Sequence, residues 1–153
     1  MKIECVVLAA GQGTRMRSSL PKVLHEIGGK TLLEHVLSTV AELDPDRVHV
    51  VVGAGQEQVR ERFASRDVNW VLQAQQRGTG HAVAQALGGL AKDCIVVVLY
   101  GDVPMVQGAT LDGLVRAASG GDLALVTAEV ANPSGLGRIV RDDAGRVREI
   151  VEE

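Results

Sequence analysis

Two glycines, two cations and one acidic strand tip are the residues of this chain best suited to chemistry. The stretch Leu8-Ala9-Ala10-Gly11-Gln12-Gly13-Thr14-Arg15-Met16 follows an apolar run at 3–8, and Leu20-Pro21-Lys22 comes soon after. A hydrophobic strand that opens into glycines and then into cations is a grip for phosphate. Gly11 and Gly13 let main-chain N–H groups approach a polyphosphate closely. Arg15 and Lys22 supply positive charge. Met16 stands where a dinucleotide fingerprint has its third glycine, and no Gly-Lys-Ser/Thr closes a P-loop. A plainer reading is a tight strand-to-helix turn with surface charges. That reading explains the glycines alone better than it explains them together with Pro21-Lys22.

Asp102 follows the apolar run 94–100 and Gly101. A carboxylate on a strand tip beside a phosphate grip is placed to hold Mg²⁺, which prefers carboxylate, water and phosphate oxygens. Gly101-Asp102-Val103-Pro104 is also ordinary turn chemistry. Gln73 closes a short strand and leads into Gly78-Thr79-Gly80-His81. A glutamine amide offers both donors and an acceptor, so at a strand end it can pair with the imide edge of uracil and reject cytosine. Gly78 and Gly80 permit close approach of backbone to a base or ribose, with Thr79 as a helix cap behind them. A simple helix-opening turn accounts for the same glycines. His81 reads as a helix-end packing residue. Gly137 leaves room for a sugar against backbone, and Glu152 offers a carboxylate to sugar hydroxyls. A hairpin with exposed charges explains those two equally well.

These residues need a scaffold, and the hydrophobic pattern supplies one. The apolar runs at 3–8, continuous after Glu4, at 48–52, which contains His49, and at 94–100 read as buried parallel strands, with 94–100 the strongest and expected to be central. Shorter strands are expected at 69–73 and 123–130, and a hairpin at 138–141 and 146–151 turned by Asp142-Asp143-Ala144-Gly145. Thr31 with Glu34 forms a capping box for a helix carrying Leu32, Leu33, Val36, Leu37, Val40 and Leu43. Further helices are expected at 56–64, 82–91 and 110–118. Strands alternating with helices imply an α/β, doubly wound, mostly parallel sheet. Ligands bind beyond the carboxyl ends of such strands, where the glycine loop, Gln73 and Asp102 all fall.

Composition narrows the partners. The chain has 153 residues, long enough for one domain with a sizeable core, and its 16 basic against 19 acidic residues give a formal charge of −3. That balance argues against a general nucleic-acid or anionic-membrane surface. With one Phe, one Trp and one Tyr, stacking platforms for single strands are nearly excluded. Cys5 and Cys94 both fall in expected strands and read as reduced core thiols. No basic segment followed by an apolar stretch opens the sequence, so no signal peptide is expected, and no apolar run is long enough to span a bilayer.

The motifs in order are Leu-Ala-Ala-Gly-Gln-Gly-Thr-Arg-Met, Leu-Pro-Lys-Val-Leu-His, Asn-Trp-Val-Leu-Gln, Gly-Thr-Gly-His-Ala, Leu-Tyr-Gly-Asp-Val-Pro, Gly-Arg-Ile-Val-Arg and Ile-Val-Glu. Their order and spacing resemble the sugar-phosphate nucleotidyltransferases. Within these, Gly-Thr-Gly-His-Ala resembles the uridylyltransferase domain of the bifunctional bacterial enzymes that make UDP-N-acetylglucosamine. The resemblance implies a Rossmann-like nucleotidyltransferase fold. It implies transfer of the uridylyl group of UTP to N-acetylglucosamine 1-phosphate with release of pyrophosphate, for cell-wall precursors in the cytoplasm. By the same resemblance, the backbone of Leu8, Ala9, Ala10, Gly11 and Gly13, with Lys22, Gln73, Gly78 and Thr79, holds the nucleotide. Arg15, Lys22 and Asp102 are then the catalytic residues, Asp102 binds Mg²⁺, and Gly137 and Glu152 contact the sugar. Leu136 departs from the tyrosine often found there. The chain is expected to be the front part of that domain, without the C-terminal β-helix acetyltransferase, from a parent that forms a homo-oligomer, a trimer by the resemblance. Thymidylyl- or cytidylyltransferases and a non-catalytic nucleotide-binding domain are the rival readings.

Overall fold

The computed structural model describes every residue except Gln12, Thr14, Arg15, Ala54, Gly55, Glu152 and Glu153. The chain divides into two units, Met1–Leu123 and Ala124–Glu153.

In the first unit the apolar run becomes β1, Lys2–Leu8. It is flanked by β4, Arg47–Val52, on one side and β6, Cys94–Tyr100, on the other, both parallel to it. β5, Asn69–Leu72, lies outside β4, so the order is β5-β4-β1-β6. A small ribbon of β2, Glu26–Ile27, and β3, Lys30–Thr31, sits apart around Gly28-Gly29. The chain steps outward from β1 to β4 and β5, then crosses to the opposite side as β6. Strand order therefore reverses between β1 and β6, and the crevice at their carboxyl ends is the topological switch point.

Helices cover the sheet unequally. α1, Leu32–Glu42, starts where the Thr31 side chain accepts the Glu34 N–H at 3.1 Å, the expected N-cap. It buries Leu33, Val36, Leu37 and Val40 against Cys5, Val7, Val50, Val52, Val97 and Leu99. α2, Gln56–Arg62, adds Val59, followed by Phe63, and α4, Gly108–Ala118, adds Leu111 to that same core. Among the described residues the helix on the other face is α3, Thr79–Ala86, whose Ala82 and Ala86 pack with Val6, Leu8, Ala10 and Val51, with Leu90 against the same cluster. Both cysteines are free thiols. Burial pushes the Cys5 thiol up to about 12, so it stays protonated as a core group.

Three expectations are corrected. β6 is an edge strand of this sheet, not a central one. Its apolar run does specify a strand, but hydrophobicity on both faces says nothing about which strands supply ladder partners. Residues 123–130 form no strand, and Leu123 and Val126 are exposed. Alternating side chains favour an extended chain, yet a strand needs a neighbour for its backbone groups. The third helix begins at Thr79 rather than 82, ends at Ala86 and passes into a 3-10 turn at Leu87–Gly89. Gly78, at φ 97°, occupies its N-cap without a side-chain bond, so Thr79 is the first helical residue and not the cap.

The second unit holds an antiparallel pair, β7, Arg138–Arg141, and β8, Val147–Val151. Its turn is built on Asp142, whose Oδ1 accepts the N–H groups of Ala144 at 3.0 Å and Arg146 at 2.9 Å. These bonds, with the Arg146 backbone and side chain foremost, hold the Asp142 carboxyl below the usual carboxylate range. Among the described residues no helix is long and apolar enough to cross a membrane.

Candidate active site

At the switch point the strands hand their ladders on to the loops that follow. Gly101 N–H donates to Leu8 O at 2.8 Å and Gln73 N–H to Val52 O at 2.8 Å. A Cβ on Gly101 would meet Leu8 O at 3.0 Å. That close approach of two backbones brings Asp102 against the end of β1.

Lys22 reaches the same place from the other side. It opens the 3-10 turn Lys22–Leu24, anchored by the buried Val23 and Leu24. Gly13, at φ +60°, lies so close that a Cβ there would come within 2.8 Å of Lys22 Cβ. The glycine is needed both for its backbone conformation and for the contact. The Lys22 ammonium then sits 2.5 Å from Asp102 Oδ2, with side chains 37% and 28% exposed. A pair this open contributes little to stability; its importance is that it places a cation and a carboxylate together at the mouth of the crevice.

Gln73 provides the opposite kind of group. It is buried, 4% exposed, and its Nε2 donates to Gly78 O at 3.2 Å and lies 3.1 Å from His81 Nδ1. A cavity of about 260 Å³ runs between these features. Of the residues expected at the site, Leu8, Ala10, Gly11, Lys22, Gln73, Gly78, Thr79 and Asp102 line it.

The remaining expected residues fall elsewhere. Ala9 turns its side chain into the aliphatic core and gives its N–H to Val51 O at 2.8 Å. Alternation along the extended chain sends it to the face opposite Leu8 and Ala10, so it supports the loop and does not line the cavity. Gly13 acts behind Lys22. Gly137 is exposed just before β7 in the second unit. Arg15 and Glu152 lie outside the described residues.

Four lining residues were not singled out from the sequence: Val23, Gln76, Ala82 and Tyr100. Tyr100 was findable, since period two puts it on the face of its register partner Leu8. Gln76 was not. Its amide donates to Ala10 O, tying the loop after β5 to the root of the glycine loop. Nothing in the run Gln73-Ala74-Gln75-Gln76 distinguishes that role from its neighbours'.

The arrangement is a cleft lined by two amides, a lysine and a carboxylate, with walls of small and aliphatic side chains and one tyrosine. Those are the groups that a base, a sugar and a chain of phosphates require. Comparison with known proteins agrees. Residues 5–147 match the profile of the MobA-like NTP transferase domain. The chain is 57% identical to the bifunctional protein GlmU of Pseudomonas aeruginosa over 99% of its own length. It spans about a third of that relative, 33%. A nucleotidyl transferase from Methanothermobacter superposes with a TM-score of 0.68 at 27% identity, over 75% of this chain and 57% of that one. The Rv0371C complex with manganese from Mycobacterium tuberculosis superposes with a TM-score of 0.64 at 26% identity, over 77% of this chain and 59% of that one.

Proposed function

Since the chain belongs to the family of MobA-like NTP transferase domains, we propose that it transfers the uridylyl group of UTP to N-acetylglucosamine 1-phosphate, releasing pyrophosphate. The observation that carries this reading is the convergence of the Gln73 amide, the glycine-loop backbone and the Lys22–Asp102 pair on one cavity. The uridylyl choice draws on the Gly-Thr-Gly-His-Ala motif and on the likeness to the bifunctional protein GlmU.

The sugar phosphate oxygen is the nucleophile and attacks the α-phosphorus in line with the departing pyrophosphate. That oxygen is already ionised near neutral pH, so the reaction needs position and charge neutralisation more than a general base. Lys22 is the described cation at the cavity mouth. With Asp102 as its partner it stands ready, and a bound triphosphate offers its ammonium a stronger set of oxygens. Gly11 lines the same cavity with open space where a Cβ would stand, so a phosphate can come close to the backbone there.

Asp102 suits a divalent cation. Among the described residues no three His, Cys, Asp or Glu side chains gather as a metal cage. A lone, partly exposed carboxylate in a phosphate cleft matches Mg²⁺, which takes one or two carboxylates and completes its shell with phosphates and water. The manganese complex of Rv0371C supports a divalent ion in this fold. Bound there, the ion would supply charge stabilisation across the reacting phosphates.

The test is pyrophosphate release by the full chain given UTP, N-acetylglucosamine 1-phosphate and Mg²⁺. Release is expected, and Lys22→Ala should lower kcat by at least about tenfold, the equivalent of one charge-assisted contact. Release with CTP or a thymidine triphosphate but not UTP would shift the reading to a sister transferase. No release with any triphosphate would leave a nucleotide-binding domain without chemistry.

A further inference from the structure

The buried Gln73 amide does not choose its own orientation. Its nitrogen carries two hydrogens and faces two groups, Gly78 O at 3.2 Å and His81 Nδ1 at 3.1 Å. A backbone carbonyl can only accept, so the NH₂ end must point that way. His81 Nδ1 lies against the same NH₂ and must therefore accept as well, which puts the ring proton of neutral His81 on Nε2. The Gln85 carboxamide sits 3.3 Å from that Nε2. One neutral imidazole cannot accept from two amides. Each amide nitrogen also faces a backbone carbonyl, Gln73 Nε2 at Gly78 O and Gln85 Nε2 at His81 O at 3.3 Å. Gln73 is buried and Gln85 exposed, so Gln85 is the one that can give its bond to His81 O over to water and present its oxygen to the Nε2–H.

The consequence reaches the cavity. Both Gln73 hydrogens are used, and its Oε1 accepts from no described group while Gln73 lines the cavity wall. A base entering the cleft therefore meets an acceptor. Uracil and thymine present an imide N–H to it; cytosine presents a lone pair at the same ring position. Turning the amide over to suit cytosine would set Oε1 against two acceptors, Gly78 O and His81 Nδ1.

We propose that His81 is a specificity-determining positioning residue: its unprotonated Nδ1 joins Gly78 O in holding the Gln73 amide, so that the site selects an imide-bearing pyrimidine over cytosine. His81 does not line the cavity and acts through Gln73 alone. The inference rests on the uridylyl reading above, and it deepens that reading by naming what enforces the choice of base.

The test compares UTP with CTP as kcat/KM in the full chain. His81→Phe keeps a ring and loses the acceptor, whereas His81→Asn returns an oxygen close to the Nδ1 position. His81→Phe should lower the UTP-to-CTP ratio by about tenfold, the order of one hydrogen bond made to one base and not the other. The change should lie mostly in KM, with kcat for UTP held. His81→Asn should keep the ratio within about threefold of the parent on the same scale. An undiminished ratio in folded His81→Phe would overturn the proposal. ¹⁵N resonances of the unaltered protein decide the matter independently of any variant. Nδ1 should appear unprotonated and Nε2 protonated at neutral pH, and the opposite tautomer would also overturn the proposal. If the parent itself fails to turn over UTP, the uridylyl reading is what has failed, and the tautomer measurement still stands.

Discussion

The two faces of the sheet are built from the same strands and are not alike. On one face Cys5, Val7, Val50, Val52, Val97 and Leu99 meet three helices, and every one is at most 5% exposed. On the other, β1 and β4 hold a buried hydrogen-bonded pair, Glu4 with His49 at 3.1 Å, where the first face has aliphatic carbon. The same face of β6 is open, with Val96, Val98 and Tyr100 at 37%, 42% and 52%. The aliphatic face provides stability. The polar, thinly covered face leads at its carboxyl end to the cavity, whose walls Leu8, Ala82 and Tyr100 supply. A face fully packed with large side chains would leave no room for a nucleotide, so the unequal cover is what makes the site available.

Stability measurements should separate the faces. Leu33→Ala removes a fully buried side chain that α1 packs onto the aliphatic face. It should cost about 4 kcal/mol in urea unfolding, within the usual range for such cavities. A loss below about 1 kcal/mol would mean this face is not the close-packed one. On the other face, His49→Ala leaves the buried Glu4 carboxyl, among the described residues, with the Ala91 N–H at 3.3 Å. Breaking such a pair from one side should cost about 3 kcal/mol. A near-neutral result would show that Glu4 finds water or takes a proton without loss, and the polar side of the comparison would fall.

This asymmetry was only half legible in the sequence. β1, β4 and β6 announce themselves by apolar runs, and the cap at Thr31 and the turn at Asp142 are local chemistry that neighbours in sequence decide. The convergence of Gly11, Gln73 and Asp102 was also legible, because the carboxyl-end rule for parallel sheets needs only the strands and their direction. What stayed hidden depends on partners remote in sequence. The edge position of β6 turns on which strand pairs with it, and the failure of 123–130 to form a strand follows from the same cause. The Glu4–His49 pair joins residues 45 apart, and nothing around either one signals the other. Gln76 and His81 act through atoms whose distance from Ala10 and Gln73 only folding sets.

The smallest expected effect is the sharpest check on the comparison. Val97 and Val98 are adjacent in β6 and point to opposite faces, one 5% and the other 42% exposed. Valine to threonine preserves shape and adds one hydroxyl, so the pair of substitutions reads each face with the same probe. Val97→Thr places that hydroxyl in the aliphatic core and should cost about 1–3 kcal/mol, the penalty of a buried polar group without a partner. Val98→Thr faces solvent and should change stability by no more than about 0.5 kcal/mol. Equal costs would mean that in solution the β6 face is covered as tightly as its reverse. The cavity beside Tyr100 would then have to open before any nucleotide could enter.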